Sequence, residues 1–260
     1  MNPRRGFVLP LVLWTLALLA LLETRLIGDG RAELQLLRRQ DLAAQGVAAA
    51  EGGIHEAVWR HTASGAAHWP ADGLVRVTRV GAAEVSVRID PLAGRLNPNS
   101  APAGLIAALL ARLGEPADRA EGLGAAAFDW HMPSGLASSG GSKQASYRAA
   151  GVGYAPPNQG FETDDEIGAV LGWSAGMAAA MRPYLSIHND GAIDRRLASP
   201  VLRLALEATG TNQPEAAVPS ETIEITAIAR LAGGIMIQRR AIARARAGER
   251  FQFLDWGFVE

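Results

Sequence analysis

The chain has 260 residues, 25 Lys and Arg against 26 Asp and Glu, a formal net charge of −1, and no cysteine. Near-neutrality removes any strong bulk attraction to nucleic acid. The missing thiols exclude disulfides, thiol catalysis and Cys-type zinc sites, and the length leaves room for one large unit or two modest ones.

The first element in chain order is an apolar run. Arg4-Arg5-Gly6 precedes Phe7-Val8-Leu9-Pro10-Leu11, and the run continues to Leu22 with only Thr15 interrupting it. It is just short of the usual membrane span. A secretory signal peptide would end in small residues before a cut, whereas Glu23-Thr24-Arg25-Leu26 follows here. A core helix would keep one polar side, and this run has none. The reading left is a single anchor over residues 7–24, with Arg4 and Arg5 in the cytoplasm by the positive-inside bias and the rest across the membrane. In a helix interior Pro10 would remove a hydrogen bond and clash with the preceding turn. If the mature chain starts at Phe7, Pro10 falls in the first turn, where its missing N–H costs nothing. The proline therefore points to a cut between Gly6 and Phe7.

Beyond the anchor a helix is predicted over residues 26–61, with Val47, Ala50, Ile54 and Val58 on one face and a weak place at Gly28 and Gly30. Residues 65–73 end it. Strands follow at 74–80 and 84–89 around a turn at 81–83. Residues 90–194 change to helical character. Asn99 or Ser100 is expected to cap a helix over 105–113, and a second helix covers 120–130. Residues 134–153 are expected to be a Gly- and Ser-rich surface loop, and Thr163 with Glu166 to form a capping box. A turn at 172–174 leads into a helix over 175–184. After a polar loop at 207–220, strands return at 222–226, 235–238 and 250–256. Strands on both sides of the helical block are the mark of an insertion.

No catalytic constellation emerges. His55, His61, His68, His131 and His188 form no metal-spaced pair, and neither a nucleophile elbow nor a phosphate loop is present. Ser138-Ser139-Gly140-Gly141-Ser142 reads as loop. The acids Glu162, Asp164, Asp165 and Glu166 read as a helix start favoured by the dipole rather than a cation site. Arg239, Arg240, Arg244 and Arg246 read as one solvated face of a strand rather than a contact for anionic lipid.

Arg-Gly followed by Phe7 and an apolar helix resembles the leader of type IV pilins and pseudopilins. The resemblance implies that a prepilin peptidase removes residues 1–6 after Gly6 and N-methylates Phe7. Most such proteins carry Glu at the fifth residue after the cut, where this chain has Leu11. A carboxylate in the bilayer needs a partner charge, which in pilins is the N-terminal amine of a neighbouring subunit, and Leu11 cannot supply that pair. In this the chain resembles the K-type minor pseudopilins of type II secretion systems, thought to sit at the filament tip. The resemblance extends, in order, through Asp90 with Gly94-Arg95-Leu96-Asn97, Asp129-Trp130, Asn158 with Gly160-Phe161, Asp165-Glu166 with Gly172-Trp173, and Pro183-Tyr184-Leu185.

That likeness implies an α+β fold. A long N-terminal helix, membrane anchor in its first half, packs on a pilin-like antiparallel sheet, and a large α-helical domain is inserted between strands. The expected parts are a leader (1–6), a membrane helix (7–24), the pilin-like helix and first strands (25–89), the inserted domain (90–194) and the remaining strands (195–260). The implied role is a non-enzymatic subunit that nucleates and caps a filament exporting folded proteins. Its implied partners are I- and J-type minor pseudopilins, the major pseudopilin, the prepilin peptidase and the inner membrane, with the C-terminal region in the periplasm. No cofactor is expected. Some members hold calcium through acids after the Asp-Trp pair and beside a later Gly-Ala-Glu. Here those stretches read Asp129-Trp130-His131-Met132-Pro133 and Gly141-Ser142-Lys143, without the acids, so no metal is expected either. The alternatives are a tip pilin of another type IV filament, and a membrane-tethered helix-hairpin-helix protein bound to DNA. The second would need Lys or Arg at its hairpins to neutralise phosphates, and residues 97–110 and 172–176 contain none.

Overall fold

The computed structural model describes residues 8–189, 192–210, 221–244 and 251–258, without the side chains of residues 8–9, 22–34 and 258. The leader, with its cut between Gly6 and Phe7, and Arg246 lie outside the described residues.

One helix of 55 residues, α1 (Val8–Thr62), joins the apolar run to the sheet. It runs through Gly28 and Gly30 as a single helical element. Its C-terminal part buries Ala49, Ala50, Ile54, Ala57 and Val58, residues spaced three and four apart on one face. This is the face expected from the sequence. They meet a five-stranded antiparallel sheet built of β1 (Val75–Val80), β2 (Ala83–Pro91), β3 (Thr222–Arg230), β4 (Met236–Arg244) and β5 (Gln252–Phe258) in that spatial order. Side chains alternate across the sheet, so Val85, Val87 and Ile89 of β2 and Ile223, Ile225, Ala227 and Ala229 of β3 point to α1. The register sets Ile89 opposite Ile225 and Val87 opposite Ala227. Polar ties reinforce the seam. Arg239 of β4 is ion-paired with Glu51, and the Thr78 hydroxyl donates to the Glu56 carboxylate at 2.8 Å.

β2 and β3 are hydrogen-bonded neighbours although the helical block separates them in sequence. That block contains α2 (Ala103–Arg112), α3 (Ala117–His131), α4 (Lys143–Ala149), α5 (Ala175–Met181) and α6 (Pro200–Ala208). It has its own core, centred on Leu96, Leu105, Leu109, Trp130, Met181 and Leu202.

Several local expectations are corrected. Neither Asn99 nor Ser100 caps α2, which starts after Pro102 without a side-chain cap. Asn99 is engaged elsewhere, its amide oxygen accepting from Phe161 N at 2.6 Å and its NH2 donating to Phe161 O at 3.0 Å. Residues 134–153 are not all loop, because Ser142 caps α4 by accepting from Ala145 N. Seven helical residues flanked by Gly and Ser leave too little periodicity to reveal a helix. The capping box at Thr163 does not close. Thr163 makes no side-chain cap, and Glu166 accepts instead from Glu162 N at 3.2 Å. The segment it starts is a 3-10 helix, Asp164–Ala169. The helix expected over 175–184 ends at Met181 and tightens to a 3-10 turn at Arg182–Tyr184, where Pro183 lacks the N–H to continue it. Past residue 194 comes α6, whose Leu202, Ala205 and Leu206 belong to the helical core. Its start, Ser199 before Pro200, is a readable N-cap and N1 pair. Finally, the arginines of β4 are not one solvated face. Adjacent strand residues point to opposite sides. Arg239 is buried against α1, while Arg240 lies on the far face, 3.4 Å from Asp255 and 4.0 Å from Glu224.

Candidate assembly surface and the frame of the helical block

The described part of the apolar run, residues 10–21, carries no charge and presents its side chains outward all round. Leu11, Leu13, Trp14, Leu16 and Leu21 are each more than half exposed. Its hydroxyl is internally satisfied, since Thr15 Oγ1 donates to Val12 O at 2.9 Å. Such a rod is stable only where lipid or other helices cover it. Among the described residues no helix is long and apolar enough to cross a membrane. The anchor expected over 7–24 reaches past the described side chains at both ends. Leu11 stands on the helix surface, 58% exposed, and offers neighbours an apolar contact where an acid would offer a charge.

Two of the sequence segments that carry the family resemblance, Gly94-Arg95-Leu96-Asn97 and the stretch ending at Leu185, come together where the block joins the sheet. Gly94 has no room for a side chain, because a Cβ there would fall well inside 3.0 Å of the Leu197 carbonyl. Arg95 donates from Nη1 to Glu224 Oε2 of β3 at 2.9 Å, which ties block to sheet. Leu96 pairs as an isolated parallel bridge with Leu185. Asn97 donates to Ile187 O at 3.1 Å and Asn189 O at 2.8 Å, and Asn189 donates back to Arg95 O at 2.6 Å. The Trp173 indole donates to Leu123 O at 3.2 Å. These residues hold chain to chain. Their amides are used on backbone groups, which is the chemistry of a frame rather than of a catalytic site. Sequence reading missed Asn189 and Glu224, and an acid on the polar side of an alternating strand gives no signal by itself.

At the C-terminal end of α3 lies a second polar cluster. The carbonyl of Asp129 has no helical donor, because Pro133, four residues on, lacks an N–H. Lys143 fills the gap. Its ammonium, on a residue 3% exposed, donates to Asp129 O, to Met132 O at 2.8 Å and to Asn158 Oδ1 at 3.1 Å. Burial pulls the lysine pKa down and the Asp129 charge pulls it back up. The Asp129 carboxylate itself is turned to Ser138, accepting from its N–H and hydroxyl. Calcium takes six to eight oxygen ligands. With an ammonium at the centre and the Asp129 carboxylate committed to Ser138, these residues do not fit the calcium that some members of the resembled family hold.

The acidic run is likewise committed to other partners. Asp164 accepts from Ile187 N at 2.8 Å, and burial raises its pKa. Asp165 is ion-paired with Arg182. Among the described residues no group of three or more His, Asp or Glu could hold a metal ion. The histidines are dispersed. His55 packs on Phe253 and Trp256, and His61 Nδ1 lies 2.8 Å from Trp69 O beside His68. Burial, with the His68 charge adding to it, lowers the His61 pKa below 6.5 against the raising effect of the Trp69 carbonyl. The unfolded chain therefore takes up a proton below pH 6.5 that the folded chain takes up only at lower pH, so stability falls as pH drops through this window. Thermal melts between pH 7.5 and 5.5 are expected to show a shallower decline for His61→Gln than for the parent chain.

Residues 87–190 match the family model described as type II secretion system, protein K. Over that span the chain is similar to the type II secretion system protein K family. The matched span runs from β2 through α5 and includes both the Arg95–Asn97 frame and the Lys143 cluster. The fold agrees over more of the chain. A chain of the crystal structure titled "GspK-GspI-GspJ complex from enterotoxigenic Escherichia coli Type 2 Secretion System" aligns at TM-score 0.69 and 15% identity, covering 86% of this chain and 99% of that one. No curated protein sequence matches.

Proposed function

We propose that this protein is a K-type minor pseudopilin of a type II secretion system and sits at the tip of the pseudopilus, where it nucleates and caps the filament that exports folded proteins. The observation that carries this reading is the pairing of an uncharged apolar rod, with Leu11 at its surface, and a bulky helical block inserted between β2 and β3. The rod can pack against other anchor helices. Leu11 offers no charge for the amine of a subunit beyond it, and the block adds bulk at odds with an interior place in a filament. The structurally similar chain comes from a complex of GspK with GspI and GspJ, which supports I- and J-type minor pseudopilins as partners, with the major pseudopilin below them. In this reading a prepilin peptidase cuts between Gly6 and Phe7 and methylates Phe7. Residues 7–24 then anchor the protein in the inner membrane, with the sheet and block in the periplasm. The DNA-binding alternative gains nothing from the fold, because Asn97 and Asn99 spend their amides on residues 187, 189 and 161.

The test is the intact mass and N-terminal sequence of membrane-extracted protein expressed with and without a prepilin peptidase. A peptidase-dependent start at methylated Phe7, with I- and J-type subunits co-purifying, is the expected result. An uncut chain or a cut beyond Leu22 would overturn the reading. Processing with co-purification of another filament system's subunits would move the protein to that system.

A further inference from the structure

The cluster at the end of α3 supports an inference independent of where the protein sits in a filament. An ammonium has three donors, and Lys143 has an oxygen for each, namely Asp129 O, Met132 O and Asn158 Oδ1. Two of these oxygens are carbonyls at the end of a helix, where partial negative charge collects and cations are favoured. The third is presented by Asn158, which has a φ of 56°, the left-handed region that Asn tolerates better than most residues. Three separate pieces of chain thus converge on one nitrogen: the end of α3, the first residue of α4, and the loop at 158. The Asp129 carboxylate, held by Ser138, fixes the loop between α3 and α4 alongside.

We propose that Lys143 is a tethered cation, a covalently supplied positive charge that organises residues 129–158 and leaves the helical block with no need for a free metal ion at this place. The arrangement inverts the usual division of labour in an oxygen-lined cation site. The ligands come from the chain, and so does the ion. Because the charge arrives with the fold, the order of this segment does not depend on the surrounding calcium concentration.

The test uses the full chain extracted in detergent, with unfolding followed by tryptophan fluorescence, since Trp130 lies next to Asp129. The parent chain is expected to melt at the same temperature in excess EDTA and in millimolar calcium chloride. Lys143→Met keeps the packing but strips three oxygens of their donors, and its midpoint should fall by roughly 5–10 °C. Asn158→Asp keeps the left-handed backbone and sets a carboxylate against the ammonium, so its midpoint should hold or rise. It also keeps the proposal testable should Lys143→Met fail to fold. A calcium-dependent rise in the parent midpoint, a Lys143→Met midpoint equal to the parent's, or a clear fall in Asn158→Asp would each overturn the assignment.

Discussion

Gly124→Ala is expected to destabilise the protein by about 2–3 kcal/mol, even though alanine is the better helix former by about 1 kcal/mol. Gly124 sits where α3 crosses α2. A Cβ added there would lie well inside 3.0 Å of the Ala103 carbonyl oxygen and 3.0 Å from the Ala107 nitrogen. Both are backbone atoms of α2, so no rotamer change relieves the overlap and the helices must separate. That separation loosens Leu105, Leu109 and Leu123, which the two helices bury between them and their neighbours. The control is Gly122→Ala in the same helix, where a Cβ meets nothing within 4 Å. It should stabilise by about 0.5–1 kcal/mol. Urea titration of the two variants should give midpoint shifts of opposite sign, and shifts of the same sign would show that α2 and α3 do not cross as described.

The second large effect is expected at the tie between block and sheet. Arg95→Met should cost about 3–4 kcal/mol, because it leaves the Glu224 carboxylate, 7% exposed, with only the longer 4.0 Å contact to Arg240 among the described ion pairs. Removing the charge at both ends is a different experiment. The double variant Arg95→Met/Glu224→Gln should recover much of the loss, since no buried charge is stranded. Denaturant unfolding of the four chains in this cycle measures the coupling. A coupling near zero would mean that Glu224 is held by Arg240 and not by Arg95.

Where the chain repeats a period, the sequence was a good guide. Val47, Ala50, Ile54 and Val58 marked the buried face of α1 through their spacing, and strict alternation in residues 84–89 marked the inward side of β2. Strands on both sides of a helical stretch revealed the insertion. What failed had no period to show. α4 is too short, and the partners of Asn99 lie 62 residues away, at Phe161, so that its use as a bridge and not a cap could not be read locally. The arginines of β4 divide between the two faces of the sheet, which is not legible locally for a related reason. Charge marks a residue as polar but does not say which side of the strand meets an acid, and Glu51 stands 188 residues from Arg239. Lys143 was visible as a basic residue in an unexpected place. Its burial became apparent only with Met132 and Asn158 brought around it.

The pairing of β2 with β3 has a consequence in time. β2 is complete at Pro91, while its partner begins at Thr222, so during synthesis the β2 edge of the β1–β2 hairpin stays open until the helical block has been made. An open edge is a template for unwanted strand addition. Closing a flexible loop as long as the block is entropically costly, but a block that has already folded brings its two ends to neighbouring strands and removes most of that cost. The order of events expected from this topology is helices first and central sheet pairing second. A lesion such as Gly124→Ala, far from any strand, should slow the closure of the sheet as well as weaken the helical core, and refolding rates would separate the two effects.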